Sequence, residues 1–259
     1  MSTRQVKVVG IGAGSPAHLT LQAQRALGEV DVVLVADKGE TKDQLVQVRR
    51  AILDMARPDG GVRLVTVPDP RRGPDADRDA GQYRDGVRDW HAARAASYAR
   101  IVADLPTGEV VGFLVWGDPA FYDSTIRIVD AVADLLAPEV EIDLEVVPGI
   151  SAFQALAAEH RIVLHEIGQP VHVTTGRRLV EEWRPDLGAV VVMLDGHLRC
   201  RELVEEHPDL TIWWGACLGL PQQQLRSGRL ADVVDEIARV RARLRAEHGW
   251  VMDVYALAP

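Results

Sequence analysis

A chain of 259 residues with 47% hydrophobic and 26% charged side chains can bury one large core or two small ones, and its composition excludes a disordered chain or a fibre. Its net charge of -9 argues against a nucleic-acid partner, because a binder of polyphosphate normally carries a basic surface that neutralises it. An anionic small molecule would instead need a local patch, for which Arg49-Arg50, Arg71-Arg72 and Arg177-Arg178 are available.

In chain order, residues 6–9 form a short β-branched apolar run that ends in glycine, residues 19–30 show helical periodicity, and residues 32–36 repeat the apolar run. This is a βαβ unit. Apolar runs without alternation imply strands buried on both faces, as in a parallel sheet covered by helices. Further strands are expected at 62–67, 110–116 and 144–147, with helices near 42–55, 83–105 and 124–136. Residues 68–81, rich in Pro, Arg, Asp and Gly, read as a surface loop. Beyond Pro148-Gly149 a helix at 151–160 leads to strands at 171–174, 189–194, 211–215 and 251–257, with helices at 198–206 and 230–248. The expectation is therefore an α/β protein of two α/β/α domains, residues 1–148 and 149–259, each with a sheet of roughly five strands.

Three glycine-containing loops close predicted strands. Gly10-Ile11-Gly12-Ala13-Gly14 follows the first, where glycines permit a tight turn and close backbone approach. Asp37, at the end of the second strand, is placed as the acid of a dinucleotide site. Ser15-Pro16 counts against that site, since it breaks the chain where a phosphate-binding helix should begin and moves the helix start to residues 18–20. Trp116-Gly117-Asp118-Pro119 puts a carboxylate at the carboxyl end of a central strand, where open α/β sheets bind ligands, and reads equally as an ordinary turn. Val147-Pro148-Gly149-Ile150-Ser151-Ala152 ends another strand, with Ser151 placed to cap a helix or to meet a ligand.

These loops, with Leu19-Thr20, resemble the signatures of the tetrapyrrole (corrin/porphyrin) methylases over essentially the whole chain. Ala36-Asp37-Lys38-Gly39, Leu164-His165-Glu166-Ile167-Gly168 and Thr174-Thr175-Gly176-Arg177 narrow the resemblance to those members that methylate carbon 1 of precorrin-5 and release its acetyl group as acetate. The resemblance implies a homodimer whose subunits hold S-adenosylmethionine in a cleft between two domains and release S-adenosylhomocysteine. It places the donor against Gly12, Trp116, Gly117, Asp118, Phe121, Ser151, Ala152, Met193, Leu194, Cys217 and Leu218, with Pro259 closing over the adenine. The loop after the second glycine departs from the family pattern, Ala13-Gly14-Ser15-Pro16 standing where relatives carry an acid, and Met193-Leu194 stands where they usually carry Tyr-Met.

Methyl transfer from a sulfonium needs alignment more than covalent help. Loss of acetate also needs water, a general base and oxyanion stabilisation. Candidates for that step are Asp118, Tyr122, Asp123, His165 and Glu166, with Lys38 and Arg177 as partners for substrate carboxylates; the bland readings are a core tyrosine and a histidine pinning its own loop. Cys200 and Cys217 lack metal-ligand spacing and are expected to be structural thiols, and no metal is expected. No apolar run approaches the roughly 20 residues of a membrane span, and glycines interrupt residues 1–14 before a signal-peptide core forms; the expected place is the cytoplasm, away from membranes. The residues leave three alternatives open: another tetrapyrrole C-methyltransferase, a nicotinamide-dependent oxidoreductase, and a module that binds the donor without turnover.

Overall fold

The computed structural model describes residues 2–37, 43–70 and 80–259. The chain divides into two compact units, residues 1–12 with 16–150 and residues 13–15 with 151–259. Lys38 and the pair Arg71-Arg72 lie outside the described residues.

The first unit runs β1 (Ser2–Gly10), α1 (Leu21–Gly28), β2 (Val32–Asp37), α2 (Asp43–Ala56), β3 (Arg63–Pro68), α3 (Ala80–Asp104), β4 (Val111–Val115), α4 (Thr125–Leu136) and β5 (Val140–Val147). Its five strands form one sheet in the order β3-β2-β4-β1-β5, and all pairings are parallel. Side chains alternate across it. Val6 and Val8, Val32 and Leu34, and Val111, Phe113 and Val115 pack with Tyr98 and Val102 of α3 and Ile128 and Val132 of α4. Val9, Val33 and Leu114 face the other way, onto Ala23 and Leu27 of α1 and Ile52 of α2. Both faces are thus covered, the reason the central strands read as unbroken apolar runs. Helix α1 begins one residue past the expected start, with Thr20 as its cap: the Thr20 hydroxyl accepts from the Ala23 N–H at 3.0 Å.

The second unit contains α5 (Ala152–His160), β6 (Val171–Thr175), α6 (Gly176–Glu182), β7 (Ala189–Met193), β8 (Thr211–Ala216), β9 (Gln224–Arg229), α7 (Leu230–His248) and β10 (Asp253–Ala258). Its sheet has the order β6-β7-β10-β8-β9. β6 and β7 are parallel, whereas β10 is antiparallel to both of its neighbours and β9 to β8. Helix α7 buries Leu230, Val234, Ile237, Val240 and Leu244, the three- and four-residue spacing of one helix face.

β1 begins at Ser2 rather than residue 6, and four further elements differ from the sequence reading. β5 begins at Val140 rather than residue 144, and β9 was not anticipated. Both are edge strands whose outward positions are polar, including Glu141, Asp143 and Glu145 in β5 and Arg226 in β9, so neither shows a continuous apolar run. The helix expected at 198–206 is only a 3-10 turn, Arg199–Leu203, entered through Leu198 in the left-handed region at φ 57°. Helix α6 was also not anticipated; at seven residues it is too short for periodicity to reveal.

Candidate functional site

In the first unit, the carboxyl ends of β1, β4 and β5 lie side by side, and the three glycine loops converge there. Gly10 pairs with Val115 and Val9 with Val147. Beyond the strands, Gly12 and Gly117 exchange both backbone hydrogen bonds, 3.2 and 2.8 Å, in an isolated antiparallel bridge. A Cβ on Gly149 would stand 2.2 Å from the Gly117 carbonyl oxygen, and one on Gly10 would stand 2.6 Å from the Gly149 nitrogen. Only glycine allows these three backbones to meet. Gly12 has a further reason, a φ of 78°.

The same contacts define what the glycine loop does. Its Gly12 N–H and C=O are used by Gly117, and the first turn of α1 is capped by Thr20 rather than left open to a phosphate. That is the packing of a structural clasp, not of a pyrophosphate cradle, and it removes the basis of the nicotinamide reading.

Asp118 fastens the clasp. One carboxylate oxygen accepts from Ala120 N–H and the other from Gly149 N–H, each at 2.8 Å, so the β4 loop holds the β5 loop. With both oxygens so engaged, Asp118 ties the two loops together. Asp123 accepts from the Thr125 N–H at 2.6 Å, a local turn at the start of α4. Trp116 packs partly buried against the core under α1 and α2. Phe121 and Tyr122 are exposed, 37% and 44%, and Tyr122 takes a φ of 52°; the reading of Tyr122 as a core tyrosine is corrected.

In the second unit, β6, β7 and β8 run the same way, so the residues following them share one sheet edge. That edge carries Arg177 in the first turn of α6, Met193 at the end of β7 with Leu194 after it, and Cys217-Leu218 after β8. Leu194 and Cys217 both adopt left-handed backbone, φ 53° and 52°, which costs a branched or thiol-bearing residue about 1–2 kcal/mol. Leu194 is nonetheless 67% exposed, unusual for a leucine held in a strained conformation. Cys217 is buried, its N–H donating to the Met252 carbonyl at 2.8 Å, and burial pushes its thiol pKa up. Cys200 is pushed further, to about 12, chiefly by burial. Both stay protonated near neutrality and are poor nucleophiles.

Pro259 does not join this edge. β10 runs antiparallel to β7 and β8, pairing Asp253 with Ala216 and Ala258 with Thr211, so Pro259 follows the far end of the strand, roughly 20 Å from Asp253 at the usual rise. Pro259, expected to close over the adenine, therefore lies at the opposite end of this sheet from Leu194. Ser151 is buried and caps α5 in a reciprocal box, its hydroxyl accepting from Gln154 N–H while the Gln154 side chain accepts from Ser151 N–H; Ala152 is the first residue of that helix. His165 and Glu166 are exposed in the irregular segment between α5 and β6, with His165 Nδ1 3.0 Å from the Glu166 carbonyl of its own loop.

Comparison with known proteins agrees with this fold. Residues 5–234 match the sequence profile of the Tetrapyrrole (Corrin/Porphyrin) Methylases. The chain belongs to the tetrapyrrole methylase family. This methylase is 42% identical over 98% of its length to a precorrin-6A synthase [deacetylating] from Sinorhizobium sp, covering 95% of that protein. It is also similar to a solved cobalamin synthesis related protein (CobF) from Corynebacterium diphtheriae, with a TM-score of 0.81 and 37% identity, covering 100% of this chain and 99% of that one. Uroporphyrin-III C-methyl transferase from Thermus thermophilus, solved in complex with S-adenosyl homocysteine, shares the fold at a TM-score of 0.58 and 20% identity, covering 98% of this chain and 92% of that one. The family is one of S-adenosylmethionine-dependent methyltransferases, and this methylase is an enzyme of that class.

The sequence reading did not find the buried polar residues behind the second unit's edge, Asp195, Arg241, Asp253 and Tyr255. They are spread over sixty positions with no motif spacing, and nothing in the sequence marks them as neighbours.

Proposed function

We propose that this methylase transfers the methyl group of S-adenosylmethionine to carbon 1 of precorrin-5 and releases the acetyl group there as acetate, giving precorrin-6A and S-adenosylhomocysteine in cobalamin biosynthesis. The observation that carries the reading is the 42% identity to a precorrin-6A synthase over 98% of the chain. The proposal extends to a homodimer acting in the cytoplasm; among the described residues, no helix is long and apolar enough to cross a membrane.

The residues fit an adenosyl donor. Phe121 and Leu194 offer exposed apolar side chains, Cys217 and Leu218 are buried and uncharged, and Gly117, Ser151, Ala152 and Met193 offer small or neutral groups at strand and helix ends. Gly12 and Asp118 hold the loops of Gly117 and Gly149 in place. When bound, S-adenosylmethionine supplies an electrophilic methyl on a positively charged sulfur. The chain's task is to align that methyl with the ring carbon and keep water from it. A raised thiol pKa at Cys217 keeps its sulfur from competing as an acceptor.

In the balanced reaction water adds to the acetyl carbonyl and the ring–acetyl bond breaks, leaving its electron pair on the ring carbon as acetate departs; that pair takes the methyl as the donor's carbon–sulfur bond breaks with its electrons staying on sulfur, and the water's two protons are released. His165 and Glu166 are the proposed residues for the water's proton and Tyr122 for a hydrogen bond to the acetyl oxygen, since the carboxylates of Asp118 and Asp123 already accept backbone N–H groups. Arg177, exposed at the first turn of α6, and Lys38 are proposed partners for ring carboxylates.

Calorimetric titration with S-adenosylhomocysteine and with NADH, on the wild type and Asp118→Ala, is the first test. Binding of S-adenosylhomocysteine alone, weakened in the variant, is expected. Incubation with precorrin-5 and the methyl donor should then yield acetate and methylated ring in equal amounts. A methylated product that keeps its acetyl group would move the enzyme to another ring carbon, and donor binding without any turnover would make it a binding module.

A further inference from the structure

Behind the exposed edge of the second unit lies a buried polar network that nothing in the methyl transfer itself requires. The Asp195 carboxylate accepts three hydrogen bonds: from His197 N–H at 3.0 Å, from Arg199 N–H at 2.6 Å and from the Tyr255 hydroxyl at 2.6 Å. Arg241 of α7 donates to the Asp195 backbone carbonyl at 2.6 Å and pairs with Asp253 at 2.8 Å. Asp253 in turn accepts from Trp214 Nε1 at 2.8 Å. Gly176, at the start of α6, closes over Asp195 so tightly that a Cβ there would stand 2.3 Å from Asp195 Cγ.

The position of this network gives it a purpose. Asp195 directly follows Leu194; Trp214 lies on β8, three residues before Cys217; and Asp253 follows Met252, whose carbonyl holds the Cys217 N–H. Leu194 and Cys217 are the two left-handed, non-glycine residues that end β7 and β8. A leucine that is two-thirds exposed has little packing of its own to hold it there, so the conformation must be imposed by its neighbours. Paired polar groups this far from water define one arrangement sharply, because any displacement leaves a charge or donor unpaired.

We propose that Tyr255, Asp195, Arg241 and Asp253 form a positioning network that sets the backbone of Leu194 and Cys217 for the methyl donor, so that donor affinity depends on side chains that do not touch it. This rests on the reading of Leu194 and Cys217 as donor contacts. Tyr255 acts through Asp195 on the β7 loop, and Arg241 joins that loop to β8 through Asp253 and Trp214.

The test compares Tyr255→Phe and Arg241→Lys with Leu194→Ala and with a core control, Ile237→Val, by calorimetry with S-adenosylhomocysteine and by steady-state kinetics. Tyr255→Phe removes one hydroxyl from a charged acceptor with almost no change of volume, and a loss of about tenfold in affinity is expected. The KM for the donor should rise with it, while kcat at saturating donor and the KM for the tetrapyrrole stay within about twofold. Amide exchange at His197 and Arg199 should quicken in the same variant. Arg241→Lys should also weaken donor binding, and it carries the test if Tyr255→Phe does not fold. Unchanged affinity in both network variants while Leu194→Ala binds weakly would overturn the network. Loss of affinity in Ile237→Val equal to that in Tyr255→Phe would do the same, because general destabilisation would then explain it. A wild type that binds no S-adenosylhomocysteine, or a Leu194→Ala variant that binds it as the wild type does, would instead sink the donor reading, and this inference with it.

Discussion

The two units build their strand-end loops by opposite means. In the first, Gly10 and Gly149 remove the Cβ atoms that would keep three backbones apart, and one carboxylate, Asp118, fastens two of the loops. In the second, a leucine and a cysteine hold left-handed conformations under a network of two aspartates, an arginine, a tyrosine and a tryptophan. Glycine makes a conformation available at the cost of backbone entropy. A buried network imposes a conformation and keeps a side chain where glycine would have none. The second strategy leaves Leu194 exposed as an apolar surface while the chain still turns.

The contrast can be broken most severely at the glycine clasp. Gly149→Ala should lose roughly 3 kcal/mol, about 10 °C in melting temperature for a protein of this size, because the new Cβ meets the Gly117 carbonyl, a backbone atom with nowhere to go. A melting temperature within 2 °C of wild type (about 0.5–1 kcal/mol) would show that the clasp yields easily. Leu194→Gly should do the reverse in stability. It relieves a strained left-handed residue while giving up almost no buried area, for a result between neutral and about 1 kcal/mol stabilising, even as donor affinity falls. A clear loss of stability in chemical denaturation would mean that the leucine side chain is packed rather than presented.

The smallest expected effect separates the network from an ordinary ion pair on the same unit. Glu182 accepts from Thr174 at 2.5 Å and pairs with Arg178 at 2.5 Å, and the Thr174 bond, despite some opposing burial, holds its carboxyl below the usual value of 4.5. The folded state therefore binds that proton less readily than the unfolded chain. The contribution is present above about pH 4.5 and is lost as pH falls through the lower folded value. Glu182→Gln should cost about 0.5 kcal/mol at pH 7, with the two stability curves converging in acid; a constant gap across pH would refute an electrostatic origin.

Much of the first unit was legible in the sequence. Its central strands are apolar on both faces, so Val6 to Val9 and Val111 to Val115 announce themselves, and the glycines that permit the loops are the residues that mark them. Ser15-Pro16 correctly delayed the first helix. The edge strands β5 and β9 were shortened or missed because half of each strand faces water. The end of the sheet at which Pro259 lies depends on β10 running antiparallel between β7 and β8, a pairing that strand patterns do not specify.

What the sequence by itself determined, then, is whatever a residue does through its own chemistry: the buried strands, the glycine turns, the Ser151 cap, and a family signature spread along the whole chain. What only the tertiary structure decided is whatever a residue is made to do by distant partners. The left-handed turns at Leu194 and Cys217, the engagement of Asp118 as a clasp, and the meeting of Asp195 with Tyr255 and Arg241 all depend on hydrogen bonds between segments far apart in the chain. Such bonds gain their strength from burial in the folded core, an environment that exists only once the strands have assembled.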